Sequence, residues 1–189
     1  KFTTQCSISD YYQYKHLDEL ARIVKNNKLL KTAFGDYVIT PDIAAARYPV
    51  TDEEINAEEI IVDDAEYPRY SPLRNINNST LILHASISCK WTIRSDRSQN
   101  TRTEGLNLIR NRKGYTPHIA VVTCEPTPGR ISSLAFGTGD IDCVYHFALH
   151  ELLKAVQQTG DTSALEILEM MIEGRRLRDI SDLPFDLAV

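Results

Sequence analysis

Two apolar segments separated by a helical one constrain the fold more than any other feature of the sequence. Residues 81–93, "LILHASISCKWTI", and residues 118–126, "HIAVVTCEP", are rich in β-branched and other apolar side chains, which is typical of strands buried on both faces. Between them, "SQNTRTEGLNLIRNRKG" predicts a helix with Ser98 as its N-cap and Gly114 at its end. Two buried strands joined by a helix require covering layers on both faces of a sheet. The predicted class is α/β.

The N-terminal third predicts one helix and one strand. Residues 9–27 have apolar side chains at helical spacing, and residues 37–49, "YVITPDIAAARYP", predict a strand that is broken at Pro41. The acidic stretch at 51–66 and the asparagine-rich residues that follow predict an irregular surface excursion.

The C-terminal third predicts alternating short elements. "TPGRISSLAFGTG" predicts a loop that contains a short helix, and "DIDCVYHF" predicts a short strand. Two helices are expected over residues 148–158 and 163–173, the second opened by a capping box of Ser163 and Glu166.

Length and composition predict an ordinary globular domain. The 189 residues suffice for one domain with its own core, and 42% apolar and 25% charged residues are typical of such domains. No apolar run reaches the length of a membrane span. The cysteines lack CxxC spacing and are expected to be reduced thiols of a cytoplasmic protein: Cys6, Cys89, Cys124 and Cys143. Because the sequence begins with Lys1, we expect residues 1–189 to be a single domain from the C-terminal part of a longer chain.

The charge distribution predicts an anionic partner more clearly than the total does. The net charge of −5 argues mildly against nucleic acid, but residues 90–113 hold seven basic and two acidic residues, a local charge of +5. Acidic residues concentrate instead at 51–66. A basic patch on an acidic chain suits an anionic ligand. A solvated helix face is the alternative interpretation.

Two acids and a lysine are predicted to meet at one edge of the sheet. Asp42 follows the strand break, Lys90 lies near the end of a buried strand, and Glu104 follows fourteen residues later. Carboxylates are the oxygen ligands that Mg²⁺ prefers, and a lysine stabilises charge that develops on a phosphate. Such a set suits phosphodiester hydrolysis. From spacing alone, Asp42 could equally cap a turn, Glu104 support a helix start and Lys90 extend to solvent.

Two short motifs resemble a known nuclease family. "ITPD" followed by "SISCK" is similar to the signature of the PD-(D/E)xK nucleases, except that Ser88 stands where the second acid is usual. The type II restriction endonucleases that recognise a CCGG core share this departure and take the missing acid from the next helix, where this chain has Glu104. "GLNLIRNRKG", "VVTCEPTP", "GDIDCVYHFAL" and "DISDLPFDLAV" also resemble this family, from about residue 11 onward and least over 47–80.

This resemblance implies a restriction-endonuclease-like fold, a central mixed sheet flanked by helices. It implies that Asp42, the main chain of Cys89, and Glu104 hold Mg²⁺, with Lys90 as the catalytic lysine. The expected activity is Mg²⁺-dependent cleavage of double-stranded DNA at GCCGGC-like sites by a homodimer or homotetramer. The family also implies an N-terminal segment that adds another acid and further DNA contacts.

The resemblance also implies which residues recognise DNA. Arg94, Asp96 and Arg97 of "RSDR" would contact the CCGG core, and Arg130 would contact an outer guanine. Arginine presents paired donors to guanine O6 and N7, and aspartate accepts from the cytosine amino group. Recognition would then lie within a few residues of Lys90, on one rigid element. In sequence, an Arg130 that contacts only phosphate would look the same.

Other interpretations remain open at this stage. The chain could be a DNA-binding or assembly module without activity, or an unrelated metal-dependent hydrolase in which "RSDR" has no role. His146 and His150 lie four apart on an expected helix, a spacing that can bind zinc. Without a third ligand in view, a packing role is favoured for both histidines.

Overall fold

A mixed β-sheet in chain order forms the centre of the molecule. The computed structural model describes residues 1–33, 39–63, 68–137 and 139–188, and within these ranges the sheet has six strands. The strands are β1 (Phe2–Thr4), β2 (Ile43–Arg47), β3 (Ile82–Lys90), β4 (His118–Thr123), β5 (Cys143–His146) and β6 (Leu177–Asp179). Strands β1 to β3 pair antiparallel, and β3 to β6 pair parallel. The two predicted buried strands are β3 and β4, at the centre of this order.

Helices join and cover the strands. The α-helices of the described residues are α1 (His16–Lys25), α2 (Lys28–Ala33), α3 (Asp52–Ile55), α4 (Ser95–Asn111), α5 (Pro128–Ala135), α6 (Leu149–Thr159), α7 (Thr162–Glu173) and α8 (Leu183–Asp186). Short 3₁₀ helices lie at Ile8–Asp10, Tyr12–Tyr14 and Ile180–Asp182. The helix predicted over 9–27 is present as α1, but its predicted start is wrong, because two 3₁₀ turns precede α1. The strand predicted over 37–49 falls partly outside the described residues, and β2 begins just after Pro41.

Both faces of the central strands are buried, as their apolar sequences predict. On one face, Val121 of β4 packs with Ile93, Leu134 of α5 and Leu168 of α7. On the other, Ile87 of β3 clusters with Leu183 of α8. Helices therefore pack on both faces of the sheet, which is the predicted α/β class.

A third cluster places α4 against the same sheet. Leu108 of α4 is 1% exposed and packs with Leu83 of β3 and Ile119 of β4. The 3₁₀ turns complete this cluster, since the Tyr14 hydroxyl donates to the Leu108 carbonyl at 2.9 Å. The C-terminal half of the crossover helix is thereby held against the sheet.

Two predicted helix starts are wrong. Helix α4 begins at Ser95, and Ser98 lies inside it, where its hydroxyl donates to the Ser133 carbonyl of α5 at 3.1 Å. Helix α7 begins at Thr162. Its N-cap is Asp161, whose carboxylate accepts from the Ala164 amide at 3.0 Å, and Ser163 lies inside the helix. The start of α7 is capped by an aspartate, whereas the N-cap of α4, Arg94, makes no side-chain capping hydrogen bond.

The histidine pair predicted as a zinc alternative does not share a helix. His146 ends β5, whereas His150 lies in α6. His146 Nδ1 accepts from the Ala148 amide at 3.1 Å, and its Nε2 donates to the Glu125 carbonyl at 3.1 Å. The packing role is therefore the one that the contacts of His146 support.

Two predictions from composition concern membrane-spanning helices and the state of the cysteines. Within the described parts of the chain, no helix combines the length and the apolar character needed to cross a bilayer. All four cysteines carry free thiols.

Candidate active site

Strands β2 and β3 bring Asp42 and Lys90 into contact. Ile43 of β2 pairs with Ile87 of β3, so Asp42, one residue earlier, lies beside the end of β3. The Asp42 Oδ2 atom accepts from the Cys89 main-chain amide at 2.7 Å and from the Lys90 ammonium at 3.2 Å. The predicted aspartate and lysine are thus joined directly, and the main chain of Cys89 takes part.

Helix α4 brings Glu104 to the same place. Parallel pairing sets Ser86, Ser88 and Lys90 of β3 against Ile119, Val121 and Thr123 of β4. The side chains of these alternate residues lie on one face of the sheet. Because Ile119 packs against α4, α4 covers that face. Glu104 is half-buried there, and burial raises its pKa; the Lys90 charge lowers this pKa and the Asp42 charge raises it further. Glu104 is therefore within electrostatic reach of both predicted partners.

Gly105, which the sequence did not single out, allows α4 to lie this close. A Cβ atom at residue 105 would stand 2.4 Å from the Asp140 carbonyl oxygen, well inside van der Waals contact. Only glycine therefore fits at this crossing of α4 with the segment that precedes β5.

Ser88 occupies the position where the family signature usually has an acid. Its Oγ atom is buried and, among the described residues, has no hydrogen-bond partner. A hydroxyl cannot supply the negative charge of a carboxylate, so Glu104 is the second carboxylate near Lys90 on this face.

The donor set fits a hard divalent cation. Mg²⁺ is often held by one or two carboxylates, with water and substrate phosphate filling the remaining positions. Asp42 and Glu104 supply two carboxylates; burial is the main cause of the raised pKa of Glu104, the Asp42 charge adds to it, and a bound cation would favour the ionised form. In the described ranges, no three His, Cys, Asp or Glu side chains form a metal-binding group. The residues thus fit an ion held by two carboxylates, and they do not form a complete protein cage.

Cys89 is suited to contribute its main chain and not its sulfur. Burial raises the pKa of its thiol, and the Asp42 charge raises it further, so the thiol stays protonated at neutral pH. A protonated thiol is a poor metal ligand. The predicted metal ligand at Cys89 therefore remains its main chain.

The "RSDR" residues start a helix and do not form a tight turn. Arg94 is the N-cap of α4 in an extended conformation, and Asp96 and Arg97 lie in the first turn. All three side chains are exposed. Arg97 Nη1 donates to the Thr92 carbonyl at 3.2 Å and to its hydroxyl at 3.1 Å, which ties one edge of the guanidinium to the β3–α4 connection.

Arg94 and Arg130 face one cleft, although 36 positions separate them in the sequence. The cleft has a volume of about 640 Å³ and lies between the N-terminal ends of α4 and α5. Ile93, Gln99 and Gly129 also line it. The structure therefore brings together residues from the two segments that the sequence assigned to DNA recognition.

Part of the predicted basic patch is internal. Arg102 pairs with Asp140 at 2.6 Å and donates to the Ser133, Leu134 and Phe136 carbonyls at the C-terminal end of α5. Arg112 donates to the Ile109 carbonyl. The local charge of +5 therefore overstates the positive charge that a ligand would contact.

Glu125 is a further residue that the sequence did not single out. Its side chain is completely buried, and it accepts from the Ile93 amide at 2.8 Å and from the Thr127 amide at 3.1 Å. An acid in an otherwise apolar strand, followed directly by Pro126, is the one sequence feature that could have drawn attention to it.

With the site described, the class of protein can be stated. The family model of the NgoMIV restriction enzyme matches residues 2–189, and the chain belongs to this family. The predicted restriction-endonuclease-like fold, a mixed sheet flanked by helices, is confirmed. In particular, the chain is 57% identical over 183 residues, 96% of its length, to the type II restriction enzyme NgoMIV of Neisseria gonorrhoeae. It spans 64% of the length of that protein.

A solved complex of the restriction endonuclease PspGI with substrate DNA is also similar. The alignment covers 93% of this chain and 65% of the other, with 16% identity and a TM-score of 0.36. A similarity this low carries no conclusion about the fold.

Proposed function

We propose that this chain carries the catalytic and DNA-recognition residues of a type II restriction endonuclease that cleaves double-stranded DNA with Mg²⁺. The observation that carries the proposal is the Asp42 carboxylate, which accepts from both the Cys89 amide and the Lys90 ammonium beside Glu104. Membership of the NgoMIV restriction enzyme family supports it. A relative that is itself a type II restriction enzyme supports the same reaction class.

Each residue has a distinct role in the proposed chemistry. Asp42, Glu104 and the main-chain carbonyl of Cys89 would hold Mg²⁺, which when bound supplies an acidified water and polarises the phosphate. The Lys90 ammonium stabilises negative charge on the phosphate oxygens during displacement. Asp42 also orients Lys90, since their ion pair at 3.2 Å holds the ammonium at the strand end.

Sequence specificity is assigned to the arginine-bearing helix starts. Arg94, Asp96 and Arg97 would contact the bases of a CCGG core, and Arg130 an outer guanine, which gives a GCCGGC-like site. A palindromic site calls for a twofold arrangement of subunits, so we propose a homodimer or a homotetramer. The cytoplasm, where thiols stay reduced, suits the four free cysteines.

The direct test is incubation of the protein with Mg²⁺ and a plasmid containing GCCGGC, followed by mapping of the DNA ends. Discrete cuts at that site are expected. Retention of the plasmid without cuts would favour the alternative of a DNA-binding or assembly module. Cuts without sequence preference would favour an unrelated metal-dependent hydrolase.

Asp96→Ala is expected to weaken binding to the cognate site by about 1–3 kcal/mol, the usual value of a good base contact. Loss of the Asp96 carboxylate also leaves Arg94 and Arg97 beside a cytosine amino group that no longer has an acceptor. The measurement is competition binding in Ca²⁺, in place of Mg²⁺, between cognate DNA and a single-base variant of the core.

Lys113→Ala is the matched control, because a phosphate contact at this exposed lysine would weaken binding to all sequences alike. If Asp96→Ala keeps the discrimination of the unaltered protein, the start of α4 does not recognise the core.

Glu104→Gln is expected to stabilise the metal-free protein increasingly as pH rises. Burial raises the pKa of Glu104 above its ordinary value of 4.5, so the folded chain binds this proton more tightly than the unfolded chain does. Stability therefore falls as pH rises from about 4.5 through the raised pKa, and glutamine removes this loss. Melting temperatures in EDTA between pH 4 and pH 8 measure the difference.

Addition of Mg²⁺ should then raise the melting temperature of the unaltered protein more than that of Glu104→Gln, because the variant lacks one of the two carboxylates. Glu169→Gln, an exposed acid on α7, is the control for a change of charge alone. A pH-independent difference between Glu104→Gln and the unaltered protein would contradict the assignment of Glu104.

A further inference from the structure

We propose that Glu125 is a positioning residue for DNA recognition, which fixes the start of α4 and the start of α5 at one spacing so that Arg94 and Arg130 face the DNA together. The inference rests on the proposed function and goes beyond it, because Glu125 does not itself line the cleft and acts through residues that do. Four contacts of this one side chain and its main chain carry the inference.

The two carboxylate oxygens of Glu125 hold two different segments. Oε2 accepts from the amide of Ile93 at 2.8 Å, and Ile93 directly precedes Arg94. Oε1 accepts from the amide of Thr127 at 3.1 Å, and Thr127 is the N-cap of the helix that carries Arg130. One buried carboxylate thereby links the two segments that meet at the cleft.

The main chain of Glu125 is itself held by the sheet. Its amide donates to the Thr123 hydroxyl at the end of β4 at 3.1 Å, and its carbonyl accepts from His146 Nε2 at the end of β5 at 3.1 Å. Pro126 further restricts the backbone at Glu125. The carboxylate therefore extends from a fixed point, and the positions of both helix starts follow from it.

Arg130 adds an electrostatic contact to the same carboxylate. Its Nη1 atom lies 3.7 Å from Glu125 Oε2, while the Arg130 side chain is 59% exposed and faces the cleft. A guanidinium has five donors, so attraction on one edge leaves others directed outward. The buried Glu125 carboxylate thus restricts the orientation of the Arg130 guanidinium. It does not use the donors on the outer edge of that group.

The contacts require an ionised carboxylate. Burial by itself raises the pKa of Glu125, but the amides of Ile93 and Thr127 and the charge of Arg130 lower it by more, so that the net shift is downward. A glutamine side chain has one acceptor oxygen, so it can satisfy only one of the two amides, and its own NH₂ group would face the other.

The experiment compares Glu125→Gln with the unaltered protein by two measurements. Hydrogen exchange without DNA, followed over residues 92–97 and 127–131, is expected to become faster in both segments together. Competition binding in Ca²⁺ is expected to show about a tenfold or greater loss of discrimination against both a core variant and an outer-base-pair variant of GCCGGC. Binding to unrelated DNA should change less than either ratio.

Tyr145→Phe is the matched control for destabilisation alone. It removes a hydroxyl that donates to Asp186 on the opposite face of the sheet, so it lowers stability without touching the cleft. Both variants are measured well below their melting temperatures. If Glu125→Gln does not fold, Glu125→Asp takes its place, because it keeps the charge but withdraws it from both amides.

Several results would overturn the proposal. Unchanged discrimination in a destabilised Glu125 variant would show a purely structural role, and a loss confined to the outer base pair would show an effect through Arg130 alone. Exchange that accelerates in only one segment would show that the helix starts are not linked. Lack of preference for GCCGGC in the unaltered protein would instead overturn the proposed function, whereas the exchange measurement tests the linkage without DNA.

Discussion

Lys90→Ala is expected to slow DNA cleavage by about 10²–10³-fold or more, the usual effect of removing one group that stabilises transition-state charge. The Lys90 side chain is 21% exposed and its ammonium lies 3.2 Å from Asp42, so the ammonium is already held at the end of β3 without DNA. Single-turnover cleavage of a labelled duplex measures the effect. Affinity for the same duplex in Ca²⁺ should stay nearly unchanged, because the proposed role of Lys90 is in the chemical step and not in base recognition.

Asp42→Ala should give a similar loss, since it removes a carboxylate and releases both Lys90 and the Cys89 amide. Lys154→Ala, which removes an exposed lysine from α6, is the control for a loss of positive charge elsewhere. Cleavage by either variant at near the rate of the unaltered protein would contradict the assignment of the site.

The second large effect is expected in stability. Arg102→Ala should lower the free energy of unfolding by about 3 kcal/mol, the lower end for a broken buried ion pair because the arginine is 27% exposed. It leaves the Asp140 carboxylate, 10% exposed, without its partner, and it uncaps the last carbonyls of α5. For a chain of 189 residues, the melting temperature should fall by roughly 6–12 °C.

Arg110→Ala provides the comparison on the same helix, because Arg110 is exposed. Its effect should stay within about 0.5 kcal/mol, as at most surface positions. Equal melting temperatures for the two variants would show that Arg102 belongs to the solvated basic patch that the charge count predicts, and not to the packing of α4 against α5.

The central strands and the helix between them could be predicted, because short apolar and helical patterns determine them. Strands β3 and β4 and the crossover helix follow from apolar runs and helical spacing, and "ITPD" with "SISCK" identified Asp42 and Lys90 as partners before their contact was known. Spacing also made Glu104 a candidate, but the choice between a place in the site and support of a helix start needed the family resemblance, because spacing alone does not place a helical acid over the end of a strand.

The start of α4 could not be predicted in the same way. Ser98 fits the local rule for an N-cap, but its hydroxyl is taken by α5, thirty-five residues later. The helix begins instead next to Ile93, whose amide is bound by Glu125, thirty-two residues away. Arg102 was counted as surface charge because its partners lie 31 to 38 residues further along the chain. These errors share one cause, which is that distant main-chain and side-chain groups replaced the local partner.

The order of the strands has a consequence for how the chain avoids aggregation while it is made. Because each strand pairs with the one before it, the growing sheet presents a new open edge after every strand. Strand β3, with nine residues, is the longest edge exposed in this way, and it stays open until α4 and β4 have been synthesised. Within the described residues, the outermost strands β1 and β6 have only three residues each. Edges this short offer few backbone groups to another chain, so β3, before β4 pairs with it, is the strand whose edge most invites association with another chain.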